Sequence, residues 1–514
     1  SFGVIMSTSS PRENPRHRRR KDRSGREEVQ QSQPIERQLP IYEILKKDQL
    51  ELIHGKSLEI LGEVGIDFYL EEARQILKEH GARIEGQTAF FTPQLIEKYR
   101  KRAPSQFTQL ARNPRRNVTI GGDSVVFAPV YGPPFVYDRK HGRRDATLED
   151  FQNFVKLAYL SPYIHHSGGT IVEPTDRPTE TRHLDMLYSH IKYSDKPFMG
   201  AVMAREHAQD SVRMVEILFG KEAIRKDPAL LSLINISSPR RLDDRMLEAL
   251  TVYARNRQAV IITPFIMAGA MSPVSLAGTL IQQNAEALAG LVYAQMVQPG
   301  TPVVYGSFMT NVDLKSGAPV FGSPESQLAL LASSQMAQYY DLPFRSGGMF
   351  ASAKTSDAQS AYESVMTMLP AVLGRVNFVL HAAGWLENGL TAGYEKFLLD
   401  CEILGAFHTL ESGIDFSEGS LAMESLKEVE PGGHHLGTQH TMERFNSAFY
   451  RSRLFDYTDI DTWVEGGSQT AEEAASHKVW ELLENYQAPE LDQDLDQTLV
   501  EYIRDRKEQI VTGE

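Results

Sequence analysis

One cysteine, Cys401, is all that the 514-residue chain contains. A single thiol closes no intrachain disulfide and builds no cysteine-rich zinc site, which fits a reducing compartment. No apolar run reaches the roughly 20 residues that span a bilayer. The opening SFGVIM is too short for a signal-peptide core, and the basic cluster follows it instead of preceding it. A cytoplasmic protein without membrane association is expected. Positive charge is also in deficit, with 54 Lys and Arg against 67 Asp and Glu and a net charge of -13. That balance argues against nucleic acid as the partner of the protein body. There is no Walker A loop, no G-x-S-x-G, no C-x-x-C, and no G-x-G-x-x-G after a strand.

What is present is ordered along the chain. Residues 1–38 hold a basic cluster from Arg16 to Arg26 among Ser, Pro, Gln and Glu. Too little apolar surface is available there to offset the entropy of ordering, so a disordered basic tail is expected. Residues 39–146 begin with a helical stripe (Leu45, Leu52, Ile53, Leu58, Leu61) and a Thr92-Pro93 helix start. They then change to VTIGGDSVVFAPVYGPPFVYDRKHG, where β-branched and aromatic runs cut by Gly and Pro read as hairpins. This segment is expected to form an N-terminal α+β subdomain.

From Thr147 helix and strand patterns alternate. Eight zones read as strands: Ile164–Pro174, Lys196–Met203, Leu230–Pro239, Ala259–Gly269, Thr301–Asp313, Leu342–Ser352, Val376–Gly389 and, most weakly patterned, Phe416–Met423. Near-continuous apolar runs of this kind suit strands buried on both faces. Ser272-Pro273, Ser323-Pro324 and Ser356-Asp357 open helices between them, the last with Ala358, Ala361, Tyr362, Val365, Leu369 and Val372 on its apolar side. The pattern predicts an α/β protein. Its core would be a (β/α)8 TIM barrel over 147–440, with the N-terminal α+β subdomain before it and C-terminal helices over 441–514.

A barrel meets its ligands at the carboxyl ends of its strands. Those ends carry Glu173, Asn235, Phe265, Phe308, Arg345, Gly347, Gly348, Phe350, His381, Trp385 and Glu387. The predicted face is aromatic, amide and glycine, with few nucleophiles. Aromatic faces attract a cation that forms no hydrogen bonds, such as a quaternary ammonium group. Glu173 or Glu387 would add charge complementarity, and paired glycines admit a flat, bulky cofactor to the backbone. Taken singly, each aromatic is accounted for by packing; the convergence on one face is what singles them out. His381 reads as a general base, a hydrogen-bond donor or a structural residue. His165-His166, at a strand start, reads as structural. His434, His435 and His440, with Glu443 nearby, match no metal spacing; their glycine-rich loop PGGHHLGTQHT suits a lid over the barrel mouth.

The segment from Asp138 to Arg144, SGGMFASAKTSDAQSAYES, LHAAGWLENGL and PGGHHLGTQHT together resemble the trimethylamine methyltransferase family, over nearly the whole chain after the tail. The resemblance implies a (β/α)8 fold and corrinoid-dependent methyl transfer. The archaeal trimethylamine enzymes carry pyrrolysine and this sequence has none, so it is similar to the branch that includes glycine betaine:corrinoid methyltransferases. The implied reaction moves a methyl group from a quaternary amine, glycine betaine or a related betaine, to the cob(I)amide of a separate corrinoid carrier protein. The implied cofactor is therefore a cobalamin held by a partner. A quaternary nitrogen leaves as a neutral amine without protonation, whereas a tertiary amine must first be activated.

Under this resemblance Phe308, Phe350 and Trp385 face the ammonium or the corrin. Arg345 holds a substrate carboxylate bidentately, and Asn235 and His381 bond the same group. Glu173 stands with the substrate residues, His381 and Glu387 with the catalytic ones, and Gly347 and Gly348 with the cofactor. A trimethylamine:corrinoid methyltransferase and a non-catalytic binder of quaternary amines remain as alternatives, and homo-oligomer formation is open.

Overall fold

A computed structural model describes residues 33–513. Its organising element is a curled sheet of parallel strands: β1 (Ser124–Phe127), β2 (Phe198–Met199), β3 (Leu230–Ser237), β4 (Ala259–Ala268), β5 (Val303–Gly306), β6 (Phe344–Gly347) and β7 (Phe378–Leu380). The neighbour order is β1-β7-β6-β5-β4-β3-β2. Asn235 lies beside Thr263, Tyr305 beside Phe344, and Arg345 beside Phe378, so the ends of β3 to β7 converge. The strands are rich in Val, Ile and Leu and buried on both faces, as parallel sheets require.

The sheet's outer strands, β1 and β2, are bridged by His165–Gly168. The His165 and His166 amides donate to the Phe127 carbonyl, Ser167 donates to Pro197, and Met199 donates to Gly168. The expected strand Ile164–Pro174 is thus an extended connector and not a ladder strand. The expected eighth strand, Phe416–Met423, is instead a short helix, Glu418–Leu421, with exposed neighbours. The position beside β7 is filled from the other end of the chain by β1, which lies in the stretch expected to be a hairpin subdomain. Part of that stretch does form hairpins, such as Phe135–Asp138 with Gly142–Asp145.

The expected disordered tail falls mostly outside the described residues, but its last residues are ordered. Ile35–Glu36 adds an antiparallel strand to β1, and the buried Arg37 pairs with Glu411 at 3.4 Å. Ile35 is buried there, and the Arg37 guanidinium donates to the Leu39, Pro40, Val372 and Leu373 carbonyls, contacts that composition alone did not reveal.

Four helices matter for the site. α1 (Leu148–Leu160) starts at a Thr147–Asp150 capping box. α2 (Leu276–Val297) is buried nearly all round, because helices Lys47–Glu59 and Pro93–Arg100 cover the side that the sheet does not. α3 (Ala358–Leu373) is capped by Asp357, and α4 (Tyr394–Glu411) follows the last strands.

α3 is turned differently from its expected apolar side, of which Val372 alone is buried. Ser360, Ser364, Thr367 and Met368 face inward, while Tyr362 is 77% and Leu369 37% exposed. The loop after β6 accounts for the rotation. The Phe350 amide donates to Thr367 Oγ1 at 2.9 Å and the Ser352 amide to Glu363 Oε2 at 2.7 Å, so the helix turns its acceptors toward the loop.

Candidate functional site

The carboxyl ends of β3 to β7 open on a cavity of about 550 Å³. Asn235, Phe265, Phe308, Arg345, His381 and Trp385 line it, together with Tyr131, Phe321, Arg241 and Ser238. Phe350 backs this wall, with its ring 5.2 Å from Phe308, 4.8 Å from Trp385 and 5.7 Å from His381. Phe308 stacks on Phe265 at 5.2 Å and Phe321 meets Trp385 edge-on at 5.0 Å. The result is one continuous aromatic wall, and the negative faces of its rings attract cations.

At the base of this wall sits a buried positive charge. Arg345 is 1% exposed, and its guanidinium carbon lies 5.3 Å above the Phe308 ring. Nη2 is 3.1 Å from His381 Nε2, Nη1 is 3.5 Å from Thr263 Oγ1, and Nε has no partner. No carboxylate among the described residues forms an ion pair with it. Burial pushes the Arg345 pKa down to about 9, opposed by the Tyr131 phenol, so the group is still charged at neutral pH. A buried cation without an anionic partner is costly, and the missing partner is an acceptor.

His381 sharpens the point. Its Nδ1 accepts a bond from the Tyr131 amide at 3.2 Å, while Nε2 faces Arg345. Burial, then the Arg345 charge, holds its pKa well below the usual histidine range, so the ring is neutral. A neutral imidazole carries one proton and can accept at only one nitrogen. Donors on both sides therefore leave one N–H facing another. An anion taking Arg345 Nη2 and His381 Nε2–H would resolve this. His381 also holds a left-handed backbone with φ 65, as do Met349 and Asn388 in the neighbouring loops at φ 54. Such geometry in non-glycine residues costs about 1–2 kcal/mol each and clusters at functional sites.

Buried polar pairs on α4 and α2 fix the rim. Lys396 Nζ donates to Asp400 Oδ2 at 2.5 Å and to the Met349 carbonyl at 3.2 Å, and Asp400 Oδ2 accepts from the Gly384 amide at 2.9 Å. This pair ties the loop carrying Phe350 to the loop carrying Trp385. Glu286 on α2 accepts from Ser238 Oγ at 2.6 Å and the Arg240 amide at 2.7 Å, bracing the loop that brings Ser238 and Arg241 to the cavity.

Four expected site residues are placed elsewhere. Glu387 is held by Arg143 at 2.7 Å and Thr391 at 2.6 Å, does not line the cavity, and is a paired carboxylate there. Glu173 sits 3.4 Å from Arg182 and is not in the lining, although its charge acts on the lining residue Tyr131. Gly347 and Gly348 are packed against protein. A β-carbon at Gly347 would lie 2.2 Å from the Phe350 ring, and one at Gly348 2.7 Å from Met368 Sδ. The room these glycines leave is occupied by the Phe350 and Met368 side chains.

His165 and His166 are buried and bonded to His408 and Gln109, each at 3.0 Å, in keeping with a structural role. His434, His435 and His440 do not gather. His435 bonds Ser425 at 2.8 Å, and none of the three lines the cavity.

Sequence reasoning missed Tyr131, Thr263, Phe321, Ser238 and Arg241. Tyr131 follows β1 by four residues and would have been found had Ser124–Phe127 been read as a sheet strand.

The family model for trimethylamine methyltransferase (MTTB) matches residues 12–511. The chain is 46% identical to the glycine betaine methyltransferase of Desulfitobacterium hafniense (strain Y51), covering 92% of this chain and 98% of that protein. It is 30% identical to the proline betaine:corrinoid methyltransferase of Eubacterium limosum, over 79% and 86% of the two chains. It is also 30% identical to trimethylamine methyltransferase MttB2 of Methanosarcina mazei, over 87% and 92%. Among solved structures, the fold resembles the monomethylamine methyltransferase of Methanosarcina barkeri with a TM-score of 0.50 at 10% identity, over 86% of this chain and 89% of that one. With an aromatic cavity at the ends of a parallel sheet and a family match over nearly its full length, this chain belongs to the trimethylamine methyltransferase family.

Proposed function

We propose that the protein moves a methyl group from a carboxylated quaternary amine, glycine betaine or a close relative, to a corrinoid carried by a partner protein. The observation that carries this reading is the buried Arg345 beside His381, cationic and without an acidic partner, at the foot of an aromatic wall. A betaine offers one group for each half: a carboxylate for Arg345 and His381, and a trimethylammonium for Phe308, Trp385 and Phe321. Trimethylamine offers nothing to Arg345. The names of the two betaine methyltransferase relatives support the same reading.

The cavity lining contains no thiol or other strong nucleophile, so the methyl acceptor comes from outside. The half-buried Met271 and Pro319 add apolar surface to the lining, of the kind the face of a macrocycle would contact. When bound, the reduced corrinoid supplies the nucleophile. The chain's own contribution is binding, alignment and exclusion of water. Arg345 and His381 fix the carboxylate, which sets the direction of the C–N bond to be broken. Both electrons of that bond stay on nitrogen, and the neutral tertiary amine needs no proton. His381 is accordingly assigned a hydrogen-bond donor's role and not a base's.

The seven parallel strands, with His165–Gly168 bridging the first two in the chain, are read here as the eight-membered wall of a (β/α)8 barrel. Incubating the protein with cob(I)alamin and a panel of glycine betaine, proline betaine, carnitine, choline and trimethylamine tests the function. Methylated corrinoid is expected with a carboxylated quaternary amine and not with choline. Turnover confined to trimethylamine would overturn the reading, and binding of a betaine without any turnover would favour a non-catalytic binder.

A further inference from the structure

The ladder between β4 and β5 is interrupted beside Arg345. The two strands run parallel with Val260 opposite Val303 and Ile262 opposite Tyr305, and their pairing resumes with Phe265 opposite Phe308. The Val260 amide donates to the Pro302 carbonyl, while the Tyr305 and Ser307 amides donate the other way, to Pro343 and Arg345. Residues of a parallel strand alternate between its two neighbours. The even-numbered carbonyls of β5 therefore face β4, and the donor due at the Gly306 carbonyl is the amide of residue 264. That residue is Pro264, which has no N–H.

A buried carbonyl without a donor is costly, and this one is served from outside the sheet. Gln283 of α2, itself fully buried, donates from Nε2 to the Gly306 carbonyl at 2.9 Å. Its amide reaches the strand because α2 lies close against the sheet. Gln283, Ala287, Gly290 and Ala294 share one face of the helix, and a β-carbon at Gly290 would stand 2.6 Å from Ile262 Cγ2. The orientation of the amide is fixed as well. The Tyr305 hydroxyl lies 3.1 Å from Gln283 Oε1, and turning the amide over would set that oxygen against the Gly306 carbonyl.

The same interruption shapes the floor of the cavity. Gly306 has no side chain, and the Thr263 hydroxyl takes the place of one: a β-carbon at Gly306 would be 2.0 Å from Thr263 Oγ1. From there Oγ1 stands 3.5 Å from Arg345 Nη1. A shift of the Gly306 peptide is thus passed to the hydroxyl beside the guanidinium. Phe308 is sheltered from it, because the β4 ladder has resumed there. We propose that Gln283 is a positioning residue for the carboxylate end of the cavity, standing in for the amide that Pro264 lacks and so fixing Gly306, Thr263 and the Arg345 guanidinium relative to one another. Gln283 does not line the cavity and acts through the strand. This rests on the function proposed, with Arg345 as the carboxylate's partner.

Gln283→Met keeps the length of the side chain and removes the donor, and Pro264→Ala returns a backbone N–H to the ladder. Wild type, Gln283→Met and Gln283→Met/Pro264→Ala are titrated calorimetrically with glycine betaine and with tetramethylammonium, and hydrogen exchange of residues 303–308 is followed in the free proteins. Gln283→Met is expected to weaken glycine betaine by about 10-fold, the effect of one unmade hydrogen bond, and to leave tetramethylammonium within about threefold. Exchange of 303–308 should speed up. The double variant should recover most of the glycine betaine affinity and the slow exchange, which no loss of packing alone would do. An equal loss for both ligands, or a loss that Pro264→Ala does not recover, would overturn the inference. If wild type binds no carboxylated quaternary amine, the proposed function fails, and exchange decides the role of Gln283 separately: faster exchange reversed by Pro264→Ala supports it, and an unchanged rate overturns it. Should Gln283→Met not fold, recovery of folding in the double variant supports the inference and continued failure overturns it.

Discussion

Replacing Arg345 with methionine should move ligand affinity and protein stability in opposite directions. The guanidinium is 1% exposed, its Nε is unpartnered and its Nη2 faces His381 at 3.1 Å. A substrate carboxylate seated there would accept two charge-assisted hydrogen bonds, at about 1.5–3 kcal/mol each. Allowing for desolvation of both ions, the loss on truncation is about 3–5 kcal/mol, or roughly 150- to 4,000-fold in Kd. A tetramethylammonium ion has no carboxylate, so its affinity should be unchanged or should improve as the neighbouring positive charge is removed. The free protein meanwhile loses a buried cation that burial has already pushed down to about 9, which should raise its melting temperature. Calorimetric titration of both ligands against wild type and Arg345→Met, with thermal unfolding of the two free proteins, reads all three effects. A glycine betaine Kd within threefold of wild type, or an equal loss for tetramethylammonium, would refute the carboxylate assignment.

Three further outcomes follow from other parts of the site. Phe308→Ala removes the ring between Phe265 and Arg345 and should weaken both glycine betaine and tetramethylammonium by about 10- to 30-fold, the size of a desolvated cation–π contact; a loss confined to glycine betaine would contradict it. Burial raises the Glu286 carboxyl from 4.5 to about 7, so the native state keeps a proton that the unfolded chain has released. Stability should therefore fall as pH rises from 4.5 to 7, by on the order of 3 kcal/mol, and level off above. Glu286→Gln should flatten the melting temperature against pH over that range, and an unchanged slope would exclude Glu286 as the source. Lys396→Met strands a buried Asp400 and should cost about 3–5 kcal/mol in denaturant unfolding, with most of it recovered in Lys396→Met/Asp400→Leu. A single-variant cost under 1 kcal/mol would show that the pair does not brace the two aromatic loops.

The residues at the ends of long apolar strands were legible in the sequence. Asn235, Phe308, Arg345, His381 and Trp385 each follow or end such a run, and all line one cavity. What the sequence hid depends on tertiary context. β1 is four residues long and sits among hairpins, so nothing local distinguishes it from them, and Tyr131 was missed with it. Counting to eight then drew in Phe416–Met423, whose apolar residues are exposed and not stacked in the sheet. Gly347 and Gly348 looked like room for a ligand because a sequence does not show that Phe350 and Met368 occupy that room. Glu387 looked like a free acid because its partner Arg143 is 244 residues away in the chain. The face of α3 was misjudged for a related reason: hydrophobicity fixes the inner side only where no loop needs hydrogen-bond acceptors.

The most direct measurement is a crystal structure of the protein with glycine betaine bound. The carboxylate is expected within hydrogen-bond distance of Arg345 and of His381 Nε2, with the trimethylammonium group against Phe308 and Trp385 and one methyl directed toward the cavity mouth. A betaine bound in the opposite sense, with its carboxylate at the mouth and Arg345 still without an acceptor, would contradict the account.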